Sequence, residues 1–157
     1  MDRVVALAAI GLGSNLGDRH AHLAYARSRL ETLLANLRFS SVRETDPVGV
    51  PGPQTRYLNA AAVGTTDASP EELLDALLAI EQERGRERPY PNAPRTLDLD
   101  LLLVGELVMA GERLVLPHPR MGCRAFVLEP LAEIAPRLRH PVTGQTIGEM
   151  LAACRRR

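Results

Sequence analysis

Apolar residues recur along this chain with two different periods, and the alternation predicts strands exchanging with helices. A continuous apolar run over residues 4–12 reads as a buried strand, ended by Gly13-Ser14-Asn15-Leu16-Gly17-Asp18. Residues 20–36 place Leu23, Ala26, Leu30 and Leu33 on one stripe, which predicts an amphipathic helix with Asp18 as its cap. Residues 37–44 and 58–65 read as a second and a third strand. Between them, Thr45-Asp46-Pro47-Val48-Gly49-Val50-Pro51-Gly52-Pro53 is too rich in proline and glycine for regular structure, and such loops are more often functional than structural. Ser69-Pro70-Glu71-Glu72 is a capping box with proline at the first helical position, and Leu73, Leu74, Leu77, Leu78 and Ile80 carry that helix to about Glu83. A polar stretch over residues 84–94 leads into a fourth strand. Gly105-Glu106 then turns the chain into a short hairpin over 107–109, and residues 123–135 and 146–154 look helical. The order strand, helix, strand, strand, helix, strand predicts an α+β fold. It is the ferredoxin-like βαββαβ sandwich, with a mainly antiparallel sheet, an extra C-terminal hairpin and helices, in one domain across residues 1–157.

The fourth strand carries the strongest chemical feature. In Pro94-Arg95-Thr96-Leu97-Asp98-Leu99-Asp100-Leu101 two carboxylates interrupt an apolar run at a spacing of two. Strand side chains alternate between faces, so Asp98 and Asp100 project together, about 6.6 Å apart along the backbone, while Leu97, Leu99 and Leu101 point the other way. Two like charges this close repel unless a cation sits between them. Paired carboxylates beside an arginine suit Mg2+ carrying a polyphosphate. The spacing alone suits an edge strand with a solvated polar face equally well.

Composition narrows the possibilities. With 157 residues, 45% of them hydrophobic, the chain can bury a real core. Its formal net charge of zero gives no field that would draw it to nucleic acid or to a membrane surface. Three tyrosines, two phenylalanines and no tryptophan leave few platforms for stacking bases, so no nucleic-acid partner is expected. All 19 basic residues are arginine. Without lysine there is no P-loop, no protein-kinase strand lysine and no Schiff base, and any bound anion must be gripped by guanidinium forks. Cys123 and Cys154 stand far apart without metal-type spacing, so the expectation is two reduced thiols in a cytoplasmic protein. The run over 4–10 is short for a signal-peptide core and no run approaches membrane-spanning length, which points to a chain with no membrane partner. Nothing suggests an obligate dimer, and a monomer is expected.

Four segments together carry a resemblance. Gly11-Leu12-Gly13-Ser14-Asn15-Leu16-Gly17-Asp18, Tyr57-Leu58-Asn59-Ala60-Ala61, the Pro94 to Asp100 stretch, and Pro117-His118-Pro119-Arg120-Met121 continuing to Arg124-Ala125-Phe126 occur in the order found in the 6-hydroxymethyl-7,8-dihydropterin pyrophosphokinase family. These folate-pathway enzymes move the β,γ-pyrophosphoryl group of ATP onto a pterin hydroxymethyl and release AMP. The resemblance implies that Asp98 and Asp100 bind two Mg2+ ions that bridge the ATP phosphates, and that Arg86 and Arg95 clamp those phosphates. It places Glu81, Arg88, Leu101, Arg113, His118 and Arg124 along the nucleotide, and Thr45, Val48, Tyr57, Asn59 and Phe126 around the pterin. The chain departs from the family at Pro89-Tyr90-Pro91-Asn92, where many relatives have a tryptophan, and at Pro119, where tyrosine is common. The segments around Val48 and Tyr90 are expected to order when ATP and pterin bind.

The residue types make chemical sense on their own. Phosphoryl-type transfer is mostly positioning and charge neutralisation. A flat neutral heterocycle needs an apolar slot, one aromatic face and an amide, and Asn59 can both donate and accept. Each residue has a plainer role too. Asn59 suits tying down a strand end, His118 between two prolines suits a surface turn, and Phe126 on an apolar helix face suits the core. The Gly11 to Asp18 stretch is expected to be structural, resembling a phosphate cradle but serving to start the first helix. A nucleotidyltransferase also uses an Asp-x-Asp strand, but its Gly-Ser turn belongs just before that strand, whereas Gly13-Ser14 lies far upstream. A non-catalytic ferredoxin-like binding module would not need two carboxylates ringed by arginines.

Overall fold

The first apolar run forms the strand β1 (Ala6–Ser14) at the heart of an antiparallel sheet in a computed structural model that describes residues 4–45, 56–85 and 96–156. Val48, Arg86, Arg88, Tyr90 and Arg95 lie outside the described residues. After β1 come α1 (Arg19–Leu33), β2 (Ala35–Phe39), β3 (Arg43–Thr45), β4 (Tyr57–Thr66), α2 (Pro70–Glu83) and β5 (Asp98–Val104). The chain ends with a small hairpin of β6 (Met109–Ala110) and β7 (Val115–Leu116), a 3-10 turn over Met121–Cys123, α3 (Ala125–Ile134) and α4 (Ile147–Arg155). Sheet order is β2-β4-β1-β5 with every neighbouring pair antiparallel, and β3 extends the sheet beside the start of β4. This is the ferredoxin-like order expected from the sequence.

Local chemistry explains the element ends. The Asp18 side chain accepts a hydrogen bond from the Ala21 N–H at 3.1 Å and starts α1. At α2 the predicted capping box forms in both directions, Glu72 N–H to Ser69 Oγ at 3.1 Å and Ser69 N–H to Glu72 Oε1 at 2.9 Å. Four expectations need correction. β1 continues through Gly13 and Ser14, which pair with Asn59 and Leu58, because β4 offers partners that far. α1 stops at Leu33, since Leu34 is extended and Asn36 takes a left-handed φ of 53° to turn the chain into β2. The single strand expected over 37–44 is two, interrupted at Ser40 and Ser41. The terminal hairpin lies at 109–116 rather than 107–109, because Leu107 N–H closes a turn onto the Val104 carbonyl first. At the crossing of the α1–β2 turn over β4, a Cβ on Gly64 would sit 2.7 Å from Leu34 Cβ, so only glycine fits there.

Helices cover both faces of the sheet. One core gathers Leu23, Leu30, Leu73, Leu77, Leu99 and Leu101 beneath α1 and α2, and the other gathers Leu102, Leu103, Met121, Leu128, Leu131 and Met150 beneath α3 and α4. A β-bulge separates the two roles of β5. Ile10 pairs with Leu101 and Ala9 with Leu103, which leaves Leu102 as the extra residue. The face carrying the two aspartates is therefore solvent-accessible only near the start of β5, and apolar beyond it.

One surface network carries a pH-dependent expectation. Arg84 Nε donates to His22 Nδ1 at 3.0 Å and its guanidinium stacks over Tyr25 at 4.8 Å, while Tyr25 OH and Arg29 both donate to Glu83. Burial first, then the Arg84 charge, lowers the His22 pKa below 6.5. The unfolded chain thus binds a proton that the folded one refuses, so this contribution to stability is complete above pH 6.5 and is lost as pH falls through the lowered folded value. Thermal melts from pH 7.5 down to pH 5 should show a falling Tm, and His22→Gln should flatten that slope. An unchanged slope in the variant would remove His22 from the account.

Candidate active site

The acidic pair sits over a floor of glycine. Across the β1–β5 pairing, Gly13 faces Asp98 and Gly11 faces Asp100, so the Gly-Leu-Gly spacing of one strand meets the Asp-Leu-Asp spacing of the other. Directly opposed residues share a face, so the carboxylates border a strip without side chains. Gly11, Gly13, Tyr57, Asn59, Asp98, Asp100, Arg124, Phe126 and Val127 line one cleft. A Cβ on Gly13 would stand 3.5 Å from Asn59 Oδ1, ordinary contact, so these glycines keep the cleft open rather than relieve a clash. Their spacing in the sequence was the signal for this floor, and it became readable only once β1 was known to run through Ser14.

Several supports hold β5 and the cleft walls. Glu81 of α2 accepts the Leu99 N–H at 2.7 Å, fixing the peptide between the two aspartates. Ser14 Oγ donates to the Thr96 carbonyl, and Thr96 Oγ1 donates to the Arg84 carbonyl at 3.0 Å, so the start of β5 is tied to both β1 and the end of α2. Asn59 is buried, and its Nδ2 donates to Thr45 Oγ1 at 2.6 Å. This bond holds Asn59 as the strand-end reading expects, yet leaves Oδ1 on the cleft side over Gly13.

His118 approaches the acidic pair from the segment after β7. Its backbone N–H donates to the Leu102 carbonyl at 2.9 Å and its Nε2 lies 4.0 Å from Asp100 Oδ1. Burial, followed by the charges of Arg124 and Arg120, lowers its pKa below 6.5 against the opposing pull of Asp98. Nδ1 accepts from the Arg120 N–H at 3.2 Å, so the neutral ring carries its proton on Nε2, toward Asp100. This is more than a surface turn. Phe126 is 36% exposed and lines the cleft instead of filling the core, with the Arg124 guanidinium 5.4 Å from its ring centre.

The family described as 7,8-dihydro-6-hydroxymethylpterin-pyrophosphokinase matches residues 9–136. The 2-amino-4-hydroxy-6-hydroxymethyldihydropteridine pyrophosphokinase of Pseudomonas aeruginosa is 45% identical over 147 residues, covering 92% of this chain and 90% of its own length. The chain belongs to this family. The enzyme of the same name from Bacillus subtilis is 43% identical over 139 residues, 87% of this chain and 83% of that one. Among solved structures, a triple mutant of Plasmodium falciparum HPPK-DHPS superposes with a TM-score of 0.76 at 14% identity, a likeness of fold. That alignment covers 97% of this chain and 44% of the other, so the chain spans less than half of that longer protein. As a member of the family the chain is an ATP-dependent diphosphotransferase.

Not every residue that the pyrophosphokinase resemblance singled out comes to the cleft. Asp98, Asp100, Tyr57, Asn59, Arg124 and Phe126 line it, Thr45 supports Asn59, and His118 stands beside Asp100. Arg113 is instead held by Asp75 of α2 at 2.6 Å, with both side chains exposed. The Leu101 side chain is buried in the core under α1 and α2. Glu81 acts on the backbone of β5. Arg86, Arg88, Arg95 and Val48 are outside the described residues. Residues that sequence reasoning passed over are Ser14, Thr96 and Arg84, whose contacts join elements far apart in the chain.

Proposed function

We propose that this cleft transfers the β,γ-pyrophosphoryl group of ATP to the hydroxymethyl of 6-hydroxymethyl-7,8-dihydropterin, giving AMP and the pterin diphosphate in folate biosynthesis. The observation that carries the proposal is the pairing of Asp98 and Asp100 with Gly13 and Gly11, in one cleft with Asn59, Arg124 and Phe126. Polyphosphate and a flat ring can lie side by side there.

The donor set fits magnesium. No group of three or more His, Cys, Asp or Glu gathers among the described residues to cage an ion. Mg2+ does not need such a cage, because it usually binds through one or two carboxylates, with phosphate oxygens and water completing its shell. Asp98 and Asp100 would hold it, two ions in all, and when bound it supplies charge neutralisation for the phosphates and a lowered barrier to ionising the attacking hydroxyl.

The protein's own residues do the positioning. The pterin ring lies against Phe126, with Asn59 Oδ1 accepting from its polar edge and Tyr57 beside it. The hydroxymethyl oxygen attacks the β-phosphorus, the bond from that phosphorus to the oxygen shared with the α-phosphate breaks, AMP departs with the electron pair, and the hydroxyl proton passes to solvent. Arg124, together with Arg86 and Arg95 as a clamp, balances the charge moving toward AMP. His118, a neutral donor with Nε2–H turned toward Asp100, stands on the phosphate side of the cleft, and Arg88 contributes to the nucleotide side. Products decide the reading. Incubation with ATP, Mg2+ and the pterin should yield AMP that depends on the pterin, and a folded protein that yields none refutes it. Formation of pyrophosphate instead would indicate nucleotidyl transfer.

A further inference from the structure

Arg43 joins the two walls of the cleft. It lies on β3 directly across from Asn59 on β4, and Thr45, two residues on, shares its face and accepts from Asn59. Its guanidinium crosses to α3, the helix that begins with Ala125 and Phe126. Nη2 is 3.1 Å from Glu133 and Nη1 is 3.5 Å from Glu129. Glu133 also accepts the Ser41 N–H at 2.8 Å and the Ser41 hydroxyl at 2.6 Å, so the same carboxylate grips the chain just before β3. The side chain is 39% exposed, yet Nε is buried and without a hydrogen-bond partner among the described residues. The head is therefore wedged under its outer nitrogens rather than waving in solvent. An isolated surface pair is worth little, but here one guanidinium meets two carboxylates and one of those also binds backbone.

We infer that Arg43 is a positioning residue for the flat-ring substrate, a strap that sets the spacing between the strand side of the slot, Thr45 and Asn59, and the ring side, Phe126. The inference rests on assigning that slot to the pterin. Asp98 and Asp100 are on β5, which the strap does not touch, so it should act on the pterin and not on ATP.

Steady-state kinetics on the wild type, Arg43→Met, Arg43→Lys and Arg155→Met separate the cases. Arg43→Met should raise KM for the pterin about fivefold or more while kcat and KM for ATP stay within about twofold. Arg43→Lys keeps the charge without the fork and should fall between the two. Arg155 pairs with Glu129 at 3.7 Å from α4, away from β3, so Arg155→Met should leave the pterin KM at the wild-type value. An unchanged pterin KM in Arg43→Met, or pterin and ATP values rising together, overturns the inference. Should Arg43→Met not fold, an unchanged pterin KM in folded Arg43→Lys overturns it just as well. A wild type that forms no AMP overturns the pterin assignment and this inference with it, whereas AMP formation with an indifferent Arg43 overturns the inference alone.

Discussion

Asp98→Ala and Asp100→Ala should each lower kcat by about 10³-fold or more, the scale on which preorganised stabilisers of transition-state charge act. Both carboxylates are half-buried at the open end of β5, over the Gly11 and Gly13 strip, so truncation creates no cavity in either core. Stability should accordingly change by less than about 1 kcal/mol. Asp98→Asn and Asp100→Asn keep the shape and lose the charge, and they should fall nearly as far. Pterin-dependent AMP formation at saturating ATP, pterin and Mg2+, with a thermal melt on each variant, measures both quantities. Near-normal turnover in either alanine variant would rule out its carboxylate as a metal ligand. Equal loss of activity and of Tm would make the effect one of folding.

Leu128→Ala should destabilise the protein by about 3 kcal/mol, within the range for emptying a fully buried leucine site. Leu128 is 0% exposed, at the centre of the core that α3 and α4 form on the sheet. For a chain of this size that corresponds to a Tm lower by about 10 °C, a large part of a total stability of about 5–15 kcal/mol. Two residues away on the same helix, Phe126→Ala should do the reverse, weakening pterin binding with little change in Tm, because its ring is 36% exposed in the cleft. Chemical denaturation of the two variants side by side checks the contrast. A shift under about 1 kcal/mol for Leu128→Ala would mean that the site collapses around the missing side chain.

Much of the fold was legible because it depends on local rules. The Ser69–Glu72 box, the Asp18 cap and the alternation through Asp98, Leu99 and Asp100 each follow from residues within one or two turns or along one strand. The misjudged boundaries share another cause. Gly13 and Ser14 read as a turn by composition and became strand because Asn59, Leu58 and Asp98 were there to pair. Phe126 sits on an apolar helix, and periodicity cannot say whether such a ring faces a core or the mouth of a cleft.

The candidate site divides along the same line. Residue types and spacing alone determined that two carboxylates share a strand face, that arginine is the only strong cation available, and that the elements follow the order of a ferredoxin-like sandwich. Tertiary structure alone decided what lies opposite them. It set Gly11 and Gly13 beneath the aspartates, turned the Glu81 carboxylate onto the Leu99 peptide, drew Arg113 to Asp75, and ran Arg43 from β3 to α3. A strand's side-chain alternation is built into its own backbone, whereas a contact between residues far apart in sequence exists only where register, a bulge and helix packing bring two surfaces together.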